Sequence, residues 1–157
     1  MTRHQFELFA DYFQFYIQDD DQELGSLADA WTTDAVDRLL AVAAGTVGIG
    51  TVRNMDVPVT IEVHDTEPDL ALEAWDHMVE CDLEVKSGRV VVAGCTDYFP
   101  EAARIPLTPG LYRVRASYGG LDTLSEDGLD GSDSYRVQLW PSRGPGTVVV
   151  VKQRSCT

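Results

Sequence analysis

The chain is short of the residues that most often do chemistry. Its 157 residues include three histidines, His4, His64 and His77, and three cysteines, Cys81, Cys95 and Cys156. An odd number of cysteines without CxxC spacing argues against a disulfide framework or a zinc knuckle. Reduced thiols are expected, with Cys81 and Cys95 as small core residues. No HExxH pair and no GxSxG elbow is present, so hydrolase chemistry of either kind is unsupported. In Asp76-His77 and His64-Asp65 the partners are sequence neighbours, and on a strand they point to opposite faces. The glycines Gly45, Gly48 and Gly50 lack the helix and lysine of a phosphate-cradling loop and suit close strand packing instead. No apolar run approaches the roughly 18 to 20 residues of a membrane span, and MTRHQFELFADYF carries acids where a secretion signal would be apolar. These absences predict a cytoplasmic chain with no catalytic residues, cofactor or metal of its own.

Positive charge is also scarce, and unevenly so. Lys and Arg number 12 against 26 Asp and Glu, a net charge of −14. Residues 1 to 84 hold 19 acids against 3 Arg, a net −16, while residues 85 to 157 hold 7 against 9, a net +2. Such a field repels nucleic acid and draws in a basic partner, although acidity also serves solubility alone. At this length one domain spanning 1 to 157 is expected.

Strand patterns dominate what is present. Val57, Val59, Ile61 and Val63 alternate with Pro58, Thr60 and Glu62, the period of two of a half-buried strand. Residues 6 to 17, 46 to 53, 78 to 85, 89 to 94, 111 to 118, 134 to 140 and 147 to 151 read similarly. Lys86-Ser87-Gly88 suits a tight hairpin between Val85 and Arg89, and Pro109-Gly110 resets the chain before LYRVRASY. There Arg113 and Arg115 share one face, directed to solvent or across a sheet to acids. One helix is expected at about 33 to 43, capped by Thr32 or Thr33, with Val36, Leu39, Leu40 and Ala43 as its apolar stripe and Gly45 as its end. The expected fold is all-β, an antiparallel sandwich of about eight strands with that single short helix.

Two acid-rich connections stand out. Asp19, Asp20, Asp21 and Glu23 follow the first strand. Asp122, Glu126, Asp127, Asp130 and Asp133 lie in GGLDTLSEDGLDGSDSYRV, where Gly120, Gly128 and Gly131 allow sharp turns. Clustered carboxylates suit calcium, but the spacing is not that of the twelve-residue calcium loop. A solvated loop, an acidic face for a basic partner, and a calcium-dependent or carbohydrate-binding module all remain open. Loops carry function on rigid sheets, so these nine acids are the candidate partner-binding residues. If the two connections share one end of the sandwich, they form one negative patch. Tyr98 and Phe99 are candidate apolar anchors beside them, and Tyr12, Phe15 and Trp31 are expected as core or capping groups.

Glu7, Leu8, Tyr12, Gln14 and Phe15, an acidic connection, Trp31-Thr32 with Asp34-Ala35, and Gly45 followed by Arg53-Asn54 together form a pattern that resembles the competence protein J family of DNA-entry nuclease inhibitors. Ser87-Gly88 and Pro109-Gly110 with Tyr112 are similar to that family's second half, so the resemblance spans roughly residues 7 to 117. It implies an intracellular protein that binds a basic nuclease and blocks it without catalysis, with DNA mimicry as one mechanism. The acid-rich segment from about Gly119 to Ser134 has no counterpart in that pattern.

Overall fold

The computed structural model describes residues 1–20, 27, 29–94 and 96–154. Among these residues eleven strands form two sheets: β1 (Thr2–Phe9), β2 (Gln14–Asp19), β3 (Leu40–Ala43), β4 (Thr46–Gly50), β5 (Asp56–Val63), β6 (His77–Val85), β7 (Arg89–Gly94), β8 (Ala103–Pro106), β9 (Gly110–Gly119), β10 (Ser134–Pro141) and β11 (Val149–Lys152). The six-stranded sheet runs β1-β5-β10-β9-β6-β11 and the five-stranded sheet β3-β4-β2-β7-β8. All pairs are antiparallel except β5 with β10, which the intervening chain joins by a long crossover.

The alternation seen in the sequence decides which face each strand buries. Val57, Val59 and Ile61 of β5, Tyr135, Val137 and Leu139 of β10, and Phe15 and Ile17 of β2 meet in one shared core between the sheets. Phe15 packs edge-on against Tyr135 across that core, with ring centres 6.1 Å apart. On the outer face of the six-stranded sheet Arg113 and Arg115 reach across to the neighbouring strand, Arg113 to Glu80 and Asp82 and Arg115 to Glu80. Of the two directions open to these arginines, they take the cross-strand one.

Three expectations are revised. The apolar stretch 6 to 17 is two strands, because the chain turns a corner at Asp11–Phe13 and moves from one sheet to the other. Lys86-Ser87-Gly88 is likewise no hairpin: β6 and β7 lie in different sheets, and the turn is a corner between them with Gly88 at φ 83°. The helix α1 (Thr33–Arg38) is shorter than its apolar stripe suggests. Thr32 Oγ1 accepts from the Ala35 N–H at 3.2 Å as expected, but Leu39 turns left-handed and Leu40–Ala43 pair with β4 through the Gly45 turn. A short apolar run fits helix or strand equally, and here the free edge of β4 decides. Strand β3 therefore went unread, as did β8, whose four residues ARIP are too few to alternate visibly. Among the described residues no helix is long and apolar enough to cross a membrane.

Candidate functional site

Asp19 and Asp20 of the first acidic connection lie at the opposite end of the sandwich from the second connection. Asp19 closes β2 beside the β3–β4 turn, where its N–H meets the Gly45 carbonyl at 2.9 Å. The other connection lies beyond the start of β2, where Thr51 donates to the Phe13 carbonyl and Arg53 reaches Asp133. The six residues of β2 separate them by about 20 Å. Among the described residues, Asp19 and Asp20 therefore form no common patch with the acids of that second connection.

At the first end Asp19 and Asp20 bond within the fold. Asp19 is 1% exposed, and its carboxylate accepts the N–H groups of Lys86 and Ser87 at 2.9 and 3.1 Å and the Ser87 hydroxyl at 2.5 Å. It thereby pins the corner between β6 and β7. Asp20 pairs with Arg89 and, at 3.4 Å, with Arg104, both on the five-stranded sheet. The Arg89 guanidinium holds its carboxyl below the usual range, against the opposing effect of partial burial, and Arg104 adds to the lowering. Asp21 and Glu23 fall outside the described residues.

At the second end the loop between β9 and β10 is built around Ser125. Its N–H meets the Asp130 carbonyl at 2.8 Å, while its hydroxyl donates to Asp127 at 2.5 Å and accepts from the Asp130 N–H at 3.0 Å. Asp127 also accepts the Leu129 N–H at 3.0 Å, and these bonds, the Ser125 hydroxyl foremost, lower its pKa. Gly120 at φ 64° lets the loop leave the sheet, since a Cβ there would lie 2.3 Å from the Ser132 carbonyl oxygen. Asp133 roots the loop: it is buried, receives Arg53 at 2.6 Å, and accepts the Tyr135 hydroxyl at 2.6 Å. Asp122, Glu126, Asp127 and Asp130 are left facing solvent. Among the described residues no three His, Cys, Asp or Glu side chains converge as a metal site would require.

Beside this loop opens a groove of about 600 Å³ whose walls include Tyr12, Phe13, Trp31, Val36, Val52 and Arg154. Tyr12, Phe13 and Val36 are 69%, 53% and 54% exposed, which is unusual for three apolar neighbours around one opening. Among the described residues the three non-glycine positions with positive φ are Tyr12, Phe13 and Leu39, and all three line this groove. The strain is held in place by the Asp11 carboxylate on the Tyr12 N–H at 3.0 Å, the Asn54 amide oxygen on the Phe13 N–H at 3.4 Å, and Thr51 on the Phe13 carbonyl at 2.8 Å. Strained backbone that the surroundings enforce is a mark of functional sites. Trp31 is fixed at the wall by its indole N–H donating to Gln14 at 3.0 Å. Arg53 joins the two features, since Val52 lines the groove while Arg53 grips the loop at Asp133 and at the Leu129 carbonyl, 3.3 Å away.

Sequence reasoning placed Tyr12 and Trp31 in the core or at a cap, and only Phe15 is there. Tyr12 is the most exposed aromatic of the corner, and Trp31 is half-buried. A usable signal was present in YFQFY, residues 12 to 16. Four aromatics in five positions cannot all face one side of a strand, so some must leave the core. Tyr98 is exposed and follows the end of β7 that pairs with Phe15, while Phe99 packs on the outer face of the five-stranded sheet. His77 is tied into the fold: its Nε2–H donates to the Arg38 carbonyl at 2.6 Å and Nδ1 accepts the Arg154 N–H at 3.0 Å. Burial lowers the pKa of His77 and pushes the Cys81 thiol up to about 12. Cys95 and Cys156 lie outside the described residues.

No protein-family model and no curated protein matches the chain. Two solved structures share its fold. The crystal structure of ComJ from Bacillus subtilis, an inhibitor of the DNA-degrading activity of NucA, superposes with a TM-score of 0.67 at 15% identity, covering 90% of this chain and 96% of that one. A protein described as crocagin biosynthetic gene J superposes with a TM-score of 0.62 at 22% identity, over 91% of this chain and 100% of that one. The resemblance to the competence protein J family drawn from scattered residues is thus matched by the fold, and several of those residues, Tyr12, Gln14, Trp31, Arg53 and Asn54, gather around the groove.

Proposed function

We propose that this protein is an intracellular, non-catalytic inhibitor that binds a basic nuclease stoichiometrically, with the groove and the adjoining acidic loop as its contact surface. The observation that carries the reading is the pairing of an exposed aromatic groove with solvent-facing Asp122, Glu126, Asp127 and Asp130 on a fold shared with a nuclease inhibitor. Each part has a distinct task. Aromatic side chains with few rotatable bonds make strong anchors in a partner's pocket. Carboxylates at the margin steer a basic surface toward it and set a salt-dependent association rate.

A nuclease suits the surface because it must carry cationic groups to hold phosphates. A chain of net charge −14 is attracted to such a site, whereas duplex DNA is repelled. The loop has no counterpart in the family pattern, so the partner is expected to differ from that family's nuclease at the contact made by the loop.

The test is titration of the purified protein into a DNA-degradation assay with the nuclease that co-purifies from its own lysate. A sharp end point at one fixed molar ratio, with affinity falling as salt rises, is the expected result. Undiminished degradation at several-fold molar excess would end the inhibitor reading.

A further inference from the structure

Away from the groove, the outer face of the six-stranded sheet holds a cation that forms no ion pair with any described residue. Arg136 makes no hydrogen bond or salt bridge with any described residue, and its Nε is buried without a partner. Its guanidinium carbon lies over the Trp75 ring, 4.7 Å from the ring centre. Trp75 is itself seated against the backbone of Gly119, where a Cβ would meet the ring at 3.2 Å. The carboxylate nearest in charge, Glu62, is already committed: Oε1 accepts His64 at 2.9 Å and Gln138 at 3.0 Å, and Oε2 accepts Arg3 at 3.1 Å. Burial lowers the pKa of Arg136, and the charges of Arg115 and Arg3 lower it further against the pull of Glu62. A half-buried guanidinium without a partner is costly to keep, and this one borders an opening of about 220 Å³ shared with Arg3, Thr60, Glu62, Trp75 and Ser134.

We propose that this opening is a binding site for a small oxyanion, a carboxylate or phosphate group, held by the guanidiniums of Arg136 and Arg3 against the indole of Trp75. The guanidinium fork matches two oxygens of such a group. Thr60 and Ser134 bring hydroxyls to the same wall. In a chain of net charge −14 a locally basic pocket is selective for anions that the rest of the surface repels. The proposal stands independently of the inhibitor reading, because it rests on a different face and different residues.

The test is a melting-temperature and calorimetric titration of the full chain with sodium phosphate and, separately, sodium acetate, at constant ionic strength against sodium chloride. The expected result is a saturable rise in Tm with at least one oxyanion, abolished in Arg136→Gln and accompanied by at least tenfold weaker binding in Arg3→Gln. Whichever anion binds identifies the group the site prefers. Absence of a saturable rise with either anion, or equal binding by Arg136→Gln, would overturn the proposal. If Arg136→Gln does not fold, Arg3→Gln decides alone, since the Arg3 side chain is 54% exposed and can be replaced without loss of core; unchanged affinity there would also overturn it.

Discussion

Asp19 and Asp20 at one end of this sandwich and the acids of the β9–β10 loop at the other meet opposite surroundings. Around Asp19 and Asp20 the described carboxylates meet backbone N–H groups and arginines of their own chain. In the loop between β9 and β10 four of five carboxylates face solvent, Asp127 while accepting the Ser125 hydroxyl and the Leu129 N–H, and Asp133 is buried against Arg53 and Tyr135. The difference lies in what stands nearby. Arg89 and Arg104 occupy strands β7 and β8 within reach of Asp20, whereas the loop has one arginine at its root. Here the acid run is left exposed where the neighbouring strands carry too few cations to neutralise it.

The strongest way to break this contrast is to remove the internal acids. Asp133→Ala leaves Arg53 with a buried charge and the Tyr135 hydroxyl without its acceptor, and is expected to cost about 3–5 kcal/mol of unfolding free energy. Asp19→Ala strands the N–H groups of Lys86 and Ser87 and should cost about 2–3 kcal/mol. By contrast Asp130→Asn, on an exposed side chain, should stay within about 0.5 kcal/mol of the parent. Urea unfolding of the three variants measures this directly. Equal losses for Asp19→Ala and Asp130→Asn would erase the distinction between the two ends.

Binding sharpens the contrast from the other side. Phe13→Ala is expected to weaken the complex by about 2 kcal/mol, roughly 30-fold in Kd, because it removes an exposed aromatic anchor. Tyr12→Gly should weaken it comparably and yet raise stability by about 1 kcal/mol, since glycine accepts φ 58° without strain. A variant more stable but less able to bind is hard to explain if the corner is merely structural. Joint replacement of Asp122, Glu126, Asp127 and Asp130 by their amides should have a smaller effect, about tenfold in association rate at low salt and little near molar salt. Surface plasmon resonance across a salt series separates the two: the aromatic variants change dissociation, the amide variant changes association. An amide variant whose association rate matches the parent at every salt concentration would remove the loop from the contact.

Much of the fold was legible because it depends on local alternation. The strands β5, β6, β9 and β10 appear where apolar residues recur at every second position, and β7 as the short apolar run at residues 90 to 93. What local pattern cannot carry is sheet membership. Val85 and Arg89 flank a turn that looks like a hairpin, yet the Asp19 carboxylate, distant in sequence, anchors that turn as a corner between sheets. The same limit hid the groove. Tyr12, Trp31, Val36 and Arg154 come from four separate segments, and only the Asp11–Phe13 corner brings Tyr12 out to meet the others. The loop acids were visible as a composition, but the burial of Asp133 depended on Arg53, 80 positions away.

Acidification distinguishes the two ends with the smallest perturbation. The His77 ring sits below the groove, where Nδ1 accepts the N–H of Arg154, a wall residue, and burial holds its pKa below the ordinary value of 6.5, although the Arg38 carbonyl partly opposes this. Below about pH 6.5 the unfolded chain gains a proton on this ring that the folded chain still refuses, so the His77 contribution to stability is complete above that pH and is lost as pH falls toward the lower folded value. At the other end the pKa of Asp20 is lowered chiefly by Arg89, so its contribution persists above the ordinary 3.8 and is lost only as pH falls through the still lower folded value. Between pH 6.5 and 5.5 the parent should therefore lose stability that a His77→Gln variant does not lose, while Arg89→Gln should change the profile only in the acid range near and below pH 4. Unfolding curves at half-unit pH steps measure both. Parallel profiles for the parent and His77→Gln above pH 5 would show that the groove end has no titrating support of its own and that acid sensitivity belongs to the carboxylates alone.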